Sequence, residues 1–279
     1  MTLSSSHRPA SPLPRLGSGR FFGSRARIVR LENFTIGLWR AALPPEEVVN
    51  HSHADAHFIL AIDDGYRSLA QNGGRPAYQK HGAGSLIWNP AGVEHCDSFD
   101  IIGGRFLSVS FMPPKGAARS GPSRLFEEVA HTAARRLVGK IADFVAGNEL
   151  VIENLALDLT GSVISPSELD EDPAPEWLVR ATEVIGDLSS TPGLEVRTIA
   201  AAVGVHPVSL ARRYRRHFGL SPAAAIRQDR AARAAAALVR ACDLAELSIR
   251  MGYADQSHLS REFREVYGIT PGRYRAAIG

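Results

Sequence analysis

Ile199-Ala200-Ala201-Ala202-Val203-Gly204-Val205 opens a pattern that this 279-residue chain repeats once. Apolar residues follow it at Leu210, Tyr214 and Phe218. The second copy is Leu247-Ser248-Ile249-Arg250-Met251-Gly252-Tyr253, followed in the same way by Leu259, Phe263 and Tyr267. Each copy predicts a short helix, a glycine turn and a second helix whose apolar residues recur every four positions or so. A tandem helix-turn-helix indicates a protein that grips a polymer at two points, and DNA is the obvious polymer.

The apolar stripe of each second helix determines which residues face outward. In the first unit these are Ser209, Arg212, Arg213 and Arg216. In the second unit they are Gln256, Ser257, His258, Arg261 and Arg264. Such side chains offer hydrogen-bond donors to phosphates and base edges, and Arg and Gln can pair in bidentate fashion with guanine and adenine. We therefore predict double-stranded DNA as a partner, because the repetition makes an ordinary solvated helix face the weaker explanation.

A stiff spacer is predicted between the two units. Ser221-Pro222 is typical of a helix start, and the alanine-rich residues 223–237 continue the helix to about Arg240. Roughly nineteen residues at about 1.5 Å each span about 28 Å. Successive major grooves on one side of B-DNA lie about 34 Å apart. The spacer would thus hold both outward faces on the same side of a duplex.

Charge is distributed unevenly, although the formal net charge is only +3. From Arg197 onward there are 14 arginines, no lysine and 6 acidic residues, whereas the rest of the chain has 18 basic and 23 acidic residues. A basic C-terminal part joined to a mildly acidic N-terminal part is typical of a nucleic-acid-binding module attached to a module with another task.

The composition is that of a globular protein long enough for two domains with separate cores. No apolar run of about eighteen residues occurs, so we expect no membrane association and a cytoplasmic location. Cys96 and Cys242 are too few for a disulfide framework and are not spaced as zinc ligands. Residues 1–24 are rich in Ser, Pro, Gly and Arg without periodicity, which predicts a disordered arm.

The remaining segments predict an α+β chain. Residues 25–112 contain short runs of β-type residues between turn signals such as Asp64-Gly65, which favours a sandwich or small barrel. Residues 123–165 have a helical composition and either form a dimer interface or cover the sheet. Residues 166–175 are a linker rich in Pro and acidic residues. Residues 176–279 then form an all-α DNA-binding domain with two helix-turn-helix units.

The C-terminal residues closely resemble the signature of AraC/XylS-type transcription regulators. The resemblance covers about residues 177–275 and is carried by Met251-Gly252-Tyr253, residues 255–264 and Gly268-Ile269-Thr270-Pro271. It implies base-reading roles for Ser257, His258 and Arg261, with Val208, Ser209 and Arg212 as counterparts in the first unit. It also implies activation of transcription, with RNA polymerase as a further partner. The chain departs from the family at His206-Pro207, where a serine cap is frequent, and at Ser248.

The N-terminal part contains two short motifs with histidines. His51-Ser52-His53 and His57 precede a predicted strand. The stretch from Gly84 through Pro90-Ala91-Gly92 to His95 resembles the second cupin motif. The resemblance implies a cupin-like barrel. The first motif departs from the cupin pattern because His57 stands near the place of a carboxylate, and Phe99 stands where the second motif usually ends in Asn.

Two chemistries are open for these histidines. The favoured one is a pocket for a small organic effector, lined by His51, His53, His57, Phe58, Trp88, His95 and Arg105. The other is a transition-metal site of His51, His53 and His95, because two histidines separated by one residue point to the same side of a strand. Regulators that resemble this chain often keep such histidines without a metal, so we predict no cofactor.

These observations predict a DNA-binding transcription regulator that is not an enzyme. A small-molecule effector would shift the population of N-terminal conformations and so change how the DNA-binding domains of a possible homodimer are presented. The main alternative is a cupin metalloenzyme with an appended DNA-binding domain, and a second is a nucleoid-type protein without sequence preference.

Overall fold

Strands occupy the N-terminal part of the chain and helices the C-terminal part. The computed structural model describes residues 15–16, 21, 23–48, 50–72, 75–112, 123–125, 128–145, 147–164, 174–238 and 243–278. The strands are β1 Arg15–Leu16, β2 Gly23–Arg30, β3 Thr35–Ala41, β4 Ser52–His53, β5 Ala56–Ala61, β6 Tyr66–Asn72, β7 Arg75–His81, β8 Leu86–Asn89, β9 Asp97–Phe99, β10 Arg105–Phe111 and β11 Ser123–Leu125. The helices are α1 Glu128–Ala142, α2 Glu149–Ile164, α3 Glu176–Leu188, α4 Val196–Ala202, α5 Pro207–Phe218, α6 Pro222–Ala237, α7 Leu244–Arg250, α8 Gln256–Tyr267 and α9 Pro271–Ile278. Among these described helices, none has the length and apolar character that a bilayer crossing requires.

Six antiparallel strands form the central sheet, in the order β11-β8-β5-β10-β3-β2, and β7-β6-β9 form a second sheet. Every residue of β5 and β10 is buried, because both faces of the central sheet are covered. Side chains alternate between the two faces of a strand. Ile59 and Phe106 therefore pack with Tyr66 of the second sheet, whereas Phe58 and Leu60 pack toward α1 and α2. In the described residues, the N-terminal region thus consists of these two sheets, the short β1-β4 pair, and helices α1 and α2 packed on one face of the central sheet. Its classification as a cupin barrel stays a prediction.

The prediction of a disordered arm over residues 1–24 is wrong for those of its residues that the structure describes. Arg15–Leu16 pairs in parallel with Ser52–His53, and β2 begins at Gly23. The ring of Phe21 lies 4.8 Å from that of His53, centroid to centroid. Packing against a buried ring orders this residue, although composition favoured disorder. The other residues of the segment up to 20, together with Phe22, lie outside the described part of the chain.

Two boundaries differ from the sequence prediction. The segment from 123, predicted as helix, begins with β11, because Ser123–Leu125 pairs with β8 and extends the sheet edge. Helix α6 is described to Ala237, short of the predicted end near Arg240, and residues 239–242 are outside the described ranges. Of the predicted linker 166–175, only Ala174 and Pro175 are described.

The boundary between the hydrophobic cores lies inside the C-terminal helices. Helices α3, α4 and α5 share a core with the first part of α6, around Leu210 and Tyr214. Helices α7 to α9 and the later part of α6 instead share one core with the central sheet, α1 and α2. At Gly139 of α1 an added Cβ would lie 2.2 Å from the Tyr267 carbonyl oxygen. The expected division into separate N- and C-terminal cores is therefore wrong: the second helix pair is packed onto the N-terminal region.

Candidate functional site

The first helix pair consists of α4 and α5, joined by a turn at Gly204. This glycine has a φ of 71°, which residues with a side chain rarely adopt. Pro207 occupies the first position of α5, and the His206 ring accepts a hydrogen bond from the Val208 N–H at 3.3 Å. Histidine thus supplies the cap at the position where the family that the sequence resembles frequently has serine.

The outward side of α5 is basic. Leu210, Tyr214 and Phe218 are buried, so the opposite side faces solvent. We call this side the first arginine face; its exposed residues are Val208, Ser209, Arg212, Arg213 and Arg216. Arg215 is exposed as well and was missed, although its position three residues after Arg212 places it on the same side. Val208 is 68% exposed at the start of the helix, which suits apolar contact with a thymine methyl group.

The second helix pair, α7 and α8, has the same construction with stronger caps. Asp243 accepts the Ala245 N–H at 2.5 Å, and Asp255 accepts the His258 N–H at 2.7 Å. In the turn, Gly252 has a φ of 77°, and a Cβ there would lie 2.6 Å from the backbone oxygen of Ser190. The turn therefore packs directly against the residues that follow α3.

The second arginine face is the exposed side of α8, formed by Gln256, Ser257, Arg261 and Arg264. Together with Ser260 and Glu265 these residues line an open hollow. His258 differs from its neighbours because it is half-buried. Its Nε2 lies 3.3 Å from Glu262, and its ring packs 5.3 Å from that of Tyr253. A base-reading role for His258 stays a prediction, and it requires the ring to leave these contacts.

The four N-terminal histidines lie together between the two sheets. His51, His53, His57 and His95 are only 1–3% exposed. The centroid of the His53 ring lies 5.1 Å from the ring centroid of His51, 4.3 Å from that of His57 and 5.2 Å from that of His95. The backbones of His51 and His95 also form an isolated antiparallel bridge. The structure thus brings together the histidines of both sequence motifs.

Burial keeps at least two of these rings neutral. Burial first, and then the charges that His95 and His51 would carry, lower the pKa of His53 to about 3. Burial, followed by the charge on His53, lowers the pKa of His57 well below its ordinary value. A neutral imidazole keeps one nitrogen lone pair, with which it can bind a metal ion or accept a hydrogen bond.

The other predicted pocket residues lie on the opposite face of the central sheet. Phe58 follows His57 directly and therefore points the other way, where its ring packs 4.9 Å from that of Trp88. Arg105 pairs with Asp63 at 2.6 and 2.9 Å and donates to the Ala236 carbonyl of α6 at 3.3 Å. The residues predicted to line one pocket therefore lie in two places. The histidines form an internal cluster, whereas Phe58, Trp88 and Arg105 lie on the other face of the sheet, where Arg105 contacts α6.

Three residues of the cluster were not named from the sequence. Asn89 donates to His57 Nε2 at 3.0 Å and to Asp97 Oδ2 at 2.8 Å. Asp97 lies two residues after His95, a spacing that could have identified it. The ring of Phe21 covers His53 and His57, and nothing in its surrounding sequence indicates this.

Residues 199–277 match a family described as a helix-turn-helix domain. The HTH-type transcriptional regulator MtrA of Neisseria gonorrhoeae is 30% identical over 82 residues, which are 29% of this chain and 27% of that protein. The chain thus matches about a quarter of that relative's length. Residues 199–277 therefore form a helix-turn-helix domain of the matched family.

Two solved structures are also similar to the C-terminal part of the chain. A transcriptional regulator with an AraC-type DNA-binding domain from Chromobacterium violaceum is 25% identical, covering 37% of this chain and 92% of that one, with a TM-score of 0.35. The DNA-binding domain of AdpA, solved in complex with a target DNA, is 27% identical, covering 38% and 93%, with a TM-score of 0.32. Both arginine faces lie on helices within the matched residues 199–277, whereas the histidine cluster lies outside them.

Proposed function

We propose that the chain is a sequence-specific, DNA-binding transcription regulator rather than an enzyme. The observation that carries the proposal is the pair of equivalent capped helices, α5 and α8, each with an exposed basic face. The family of residues 199–277, and the naming of its relative MtrA as a transcriptional regulator, support it. Arginine faces of this kind fit the phosphates and base edges of a major groove.

Helix α6 supports simultaneous binding by both faces. Its sixteen residues span about 24 Å at about 1.5 Å each, somewhat less than the groove repeat of about 34 Å. Both helix pairs pack on it, and its buried Arg230 donates to the Ser189 carbonyl at 2.9 Å. Because helix pairs pack on both ends of this spacer, the distance and orientation between the two arginine faces are fixed. We therefore expect two recognition elements in the DNA site, about one helical turn apart.

Selection from a pool of random double-stranded DNA tests this proposal. We expect enrichment of a motif with two elements separated by about ten base pairs. The selected site should bind at least about a thousandfold more tightly than random DNA, as specific regulators do. Gel-shift titrations with both DNAs measure this ratio. Enrichment of no motif, or equal affinity for both DNAs, would contradict sequence-specific regulation and indicate a nucleoid-type protein.

Regulation by the N-terminal region is the second part of the proposal. The histidine cluster lies on one face of the central sheet, and α1 packs on the other. Helix α1 in turn contacts α8 at Gly139 and Tyr267, while Arg105 of β10 contacts α6. An effector that changes the sheet would therefore act on the second helix pair through direct contacts. We propose that this control produces activation, with RNA polymerase as the partner of the DNA-bound form.

We further propose that the chain forms a homodimer through α2. Leu150, Asn154, Leu157 and Gly161 are exposed and are spaced by four, three and four residues, which is the core spacing of a coiled coil. Leu150 is 68% and Leu157 is 53% exposed. An asparagine at one core position pairs with its counterpart in a second copy and favours a dimer. A second copy of this chain therefore matches the face in both spacing and polarity.

Leu157→Asp should weaken self-association at least about tenfold, because it places a charge in the centre of the apolar contact. Sedimentation equilibrium measures the dimer dissociation constant. Val179→Asp is the matched control, since Val179 is also exposed (45%) but lies on α3. A wild-type chain that stays monomeric at high micromolar concentration, or equal effects of the two substitutions, would contradict the dimer proposal.

A further inference from the structure

An open hollow lies at one end of the central sheet, where the start of β3 and the end of β10 approach α2. Its volume is about 540 Å³. Sites for small organic molecules measure about 300–1,000 Å³. The cavity beside His51, by comparison, measures about 30 Å³. A small organic molecule therefore fits this hollow, whereas it fits beside the histidine cluster only after rearrangement.

Asp55 is a buried acid in the wall of the hollow. It is only 8% exposed, yet its carboxylate makes no hydrogen bond and no ion pair with any residue in the described ranges. Burial of a charge without a partner is costly, so buried carboxylates are normally paired. Because Asp55 lines the hollow, its small exposed fraction faces that space. A cationic group in the hollow would supply the missing partner.

Ser110 is a second unsatisfied group in the same wall. It is 2% exposed, and its Oγ makes no hydrogen bond. Buried hydroxyl groups are rarely left without a partner. Ser110 stands opposite Thr35 in the sheet, and Thr35 also lines the hollow. The carboxylate of Asp55 and the two hydroxyl groups thus offer acceptors to the three N–H donors of an ammonium group.

The charge and the apolar surface of the hollow indicate the class of ligand. Glu32 adds a second, exposed carboxylate, and none of the described residues that line the hollow is basic. The apolar part of the wall consists of Leu31, Phe34, Phe111, Met112 and Leu157. Carboxylates without basic neighbours attract cations and repel anions. The apolar part favours a ligand that also carries hydrocarbon.

We propose that this hollow binds a small organic amine in its protonated form, with the ammonium group against Asp55 and the hydrocarbon part against the apolar wall. Phe34 and Phe111 belong to the hydrophobic core that also contains α1 and the second helix pair. A ligand in contact with these two rings can therefore act on that core. Leu157 also belongs to the proposed dimer face, so occupancy of the hollow and self-association should affect each other. The regulatory role of the amine rests on the function proposed above, whereas the binding site does not.

Methionine-methyl NMR of the full-length chain tests the proposal. The chain has three methionines, of which Met112 lines the hollow and Met251 follows α7. Met112→Leu identifies the Met112 signal. Titration with butylamine, cyclohexylamine and 2-phenylethylamine should move this signal saturably for at least one amine, and further than the Met251 signal. The matched alcohol and acid, 2-phenylethanol and 3-phenylpropionate, should bind at least about tenfold more weakly than 2-phenylethylamine, because neither can pair with a carboxylate.

Asp55→Asn should weaken binding of the amines at least about tenfold, since it removes the charge and keeps the shape of the side chain. It should leave the weak binding of 2-phenylethanol unchanged. Asp158→Asn is the matched control, because Asp158 is an exposed acid of α2 that does not line the hollow. We expect this control to bind the amines as the wild-type chain does.

The outcomes separate the amine site from the regulator function. A Met112 signal that none of the three amines moves overturns the proposal, whether or not the chain binds its selected DNA. Equal binding of 2-phenylethanol and 2-phenylethylamine also overturns it, because the hollow would then lack selectivity for a cation. Equal amine affinity of Asp55→Asn and Asp158→Asn overturns the role of Asp55. The wild-type titrations decide the question even where a variant fails to fold. Loss of DNA specificity with intact amine binding would instead overturn the proposed function and leave the site standing.

Discussion

Gly139→Ala should destabilise the chain by about 2–3 kcal/mol and loosen the second helix pair from the N-terminal region. The added methyl group would lie 2.2 Å from the carbonyl oxygen of Tyr267, which is backbone and cannot rotate away. In a helix interior, alanine is more favourable than glycine by about 1 kcal/mol. The expected net destabilisation is therefore the cost of the close contact minus this gain. Urea unfolding gives the change in free energy, and amide hydrogen exchange shows whether α8 loses protection.

Gly186→Ala is the matched control for this experiment. Gly186 lies in α3 with no atom near its would-be Cβ, so alanine there should stabilise the chain by about 0.5–1 kcal/mol. If Gly139→Ala were as stable as Gly186→Ala, with unchanged protection of α8, helix α1 would not be packed against α8 in solution. The route proposed for control of DNA binding by the N-terminal region would then be wrong.

The double substitution Arg212→Ala/Arg261→Ala should abolish most of the sequence-specific DNA affinity. Each arginine occupies the exposed face of its helix. Loss of a bidentate arginine contact to a base costs about 1–3 kcal/mol. Distant sites with no shared partners are additive, so the double variant should lose about 2–6 kcal/mol, at least about thirtyfold in affinity. Competition gel shifts on the selected DNA measure the single and double variants.

Two controls determine what kind of contact is lost. Arg180→Ala removes an exposed arginine of α3, outside both arginine faces, and should change affinity little. Arg261→Lys retains the charge but not the bidentate geometry, so it should lose specificity while keeping affinity for random DNA. A double variant no weaker than either single variant would show that only one face touches DNA. Equal losses on selected and random DNA would identify phosphate contacts.

Much of the DNA-binding domain could be predicted from the sequence, because its signals are local. The spacing of the apolar residues Leu210, Tyr214 and Phe218 indicates both that the segment is a helix and which side faces outward. This information lies within the twelve residues of α5. The histidine cluster was predicted in part: alternation along a strand pairs His51 with His53, but His57 and Phe58 were assigned to one pocket although neighbouring residues face opposite ways. Short polar strands such as Asp97–Phe99 have no periodicity to reveal them.

The sequence by itself determined the two repeated helix pairs, their caps and the residues on their outer faces, because helix periodicity and capping act over a few neighbouring positions. Only the tertiary structure decided that the second pair shares its core with the N-terminal sheet, since Gly139 and Tyr267 meet across more than a hundred residues of chain. It also decided the partners of two histidine nitrogens, because the Val93 carbonyl contacts Nδ1 of His95 and the Asn89 amide donates to Nε2 of His57. Contacts of that range depend on how surfaces of separate elements fit together, and no local pattern encodes that fit.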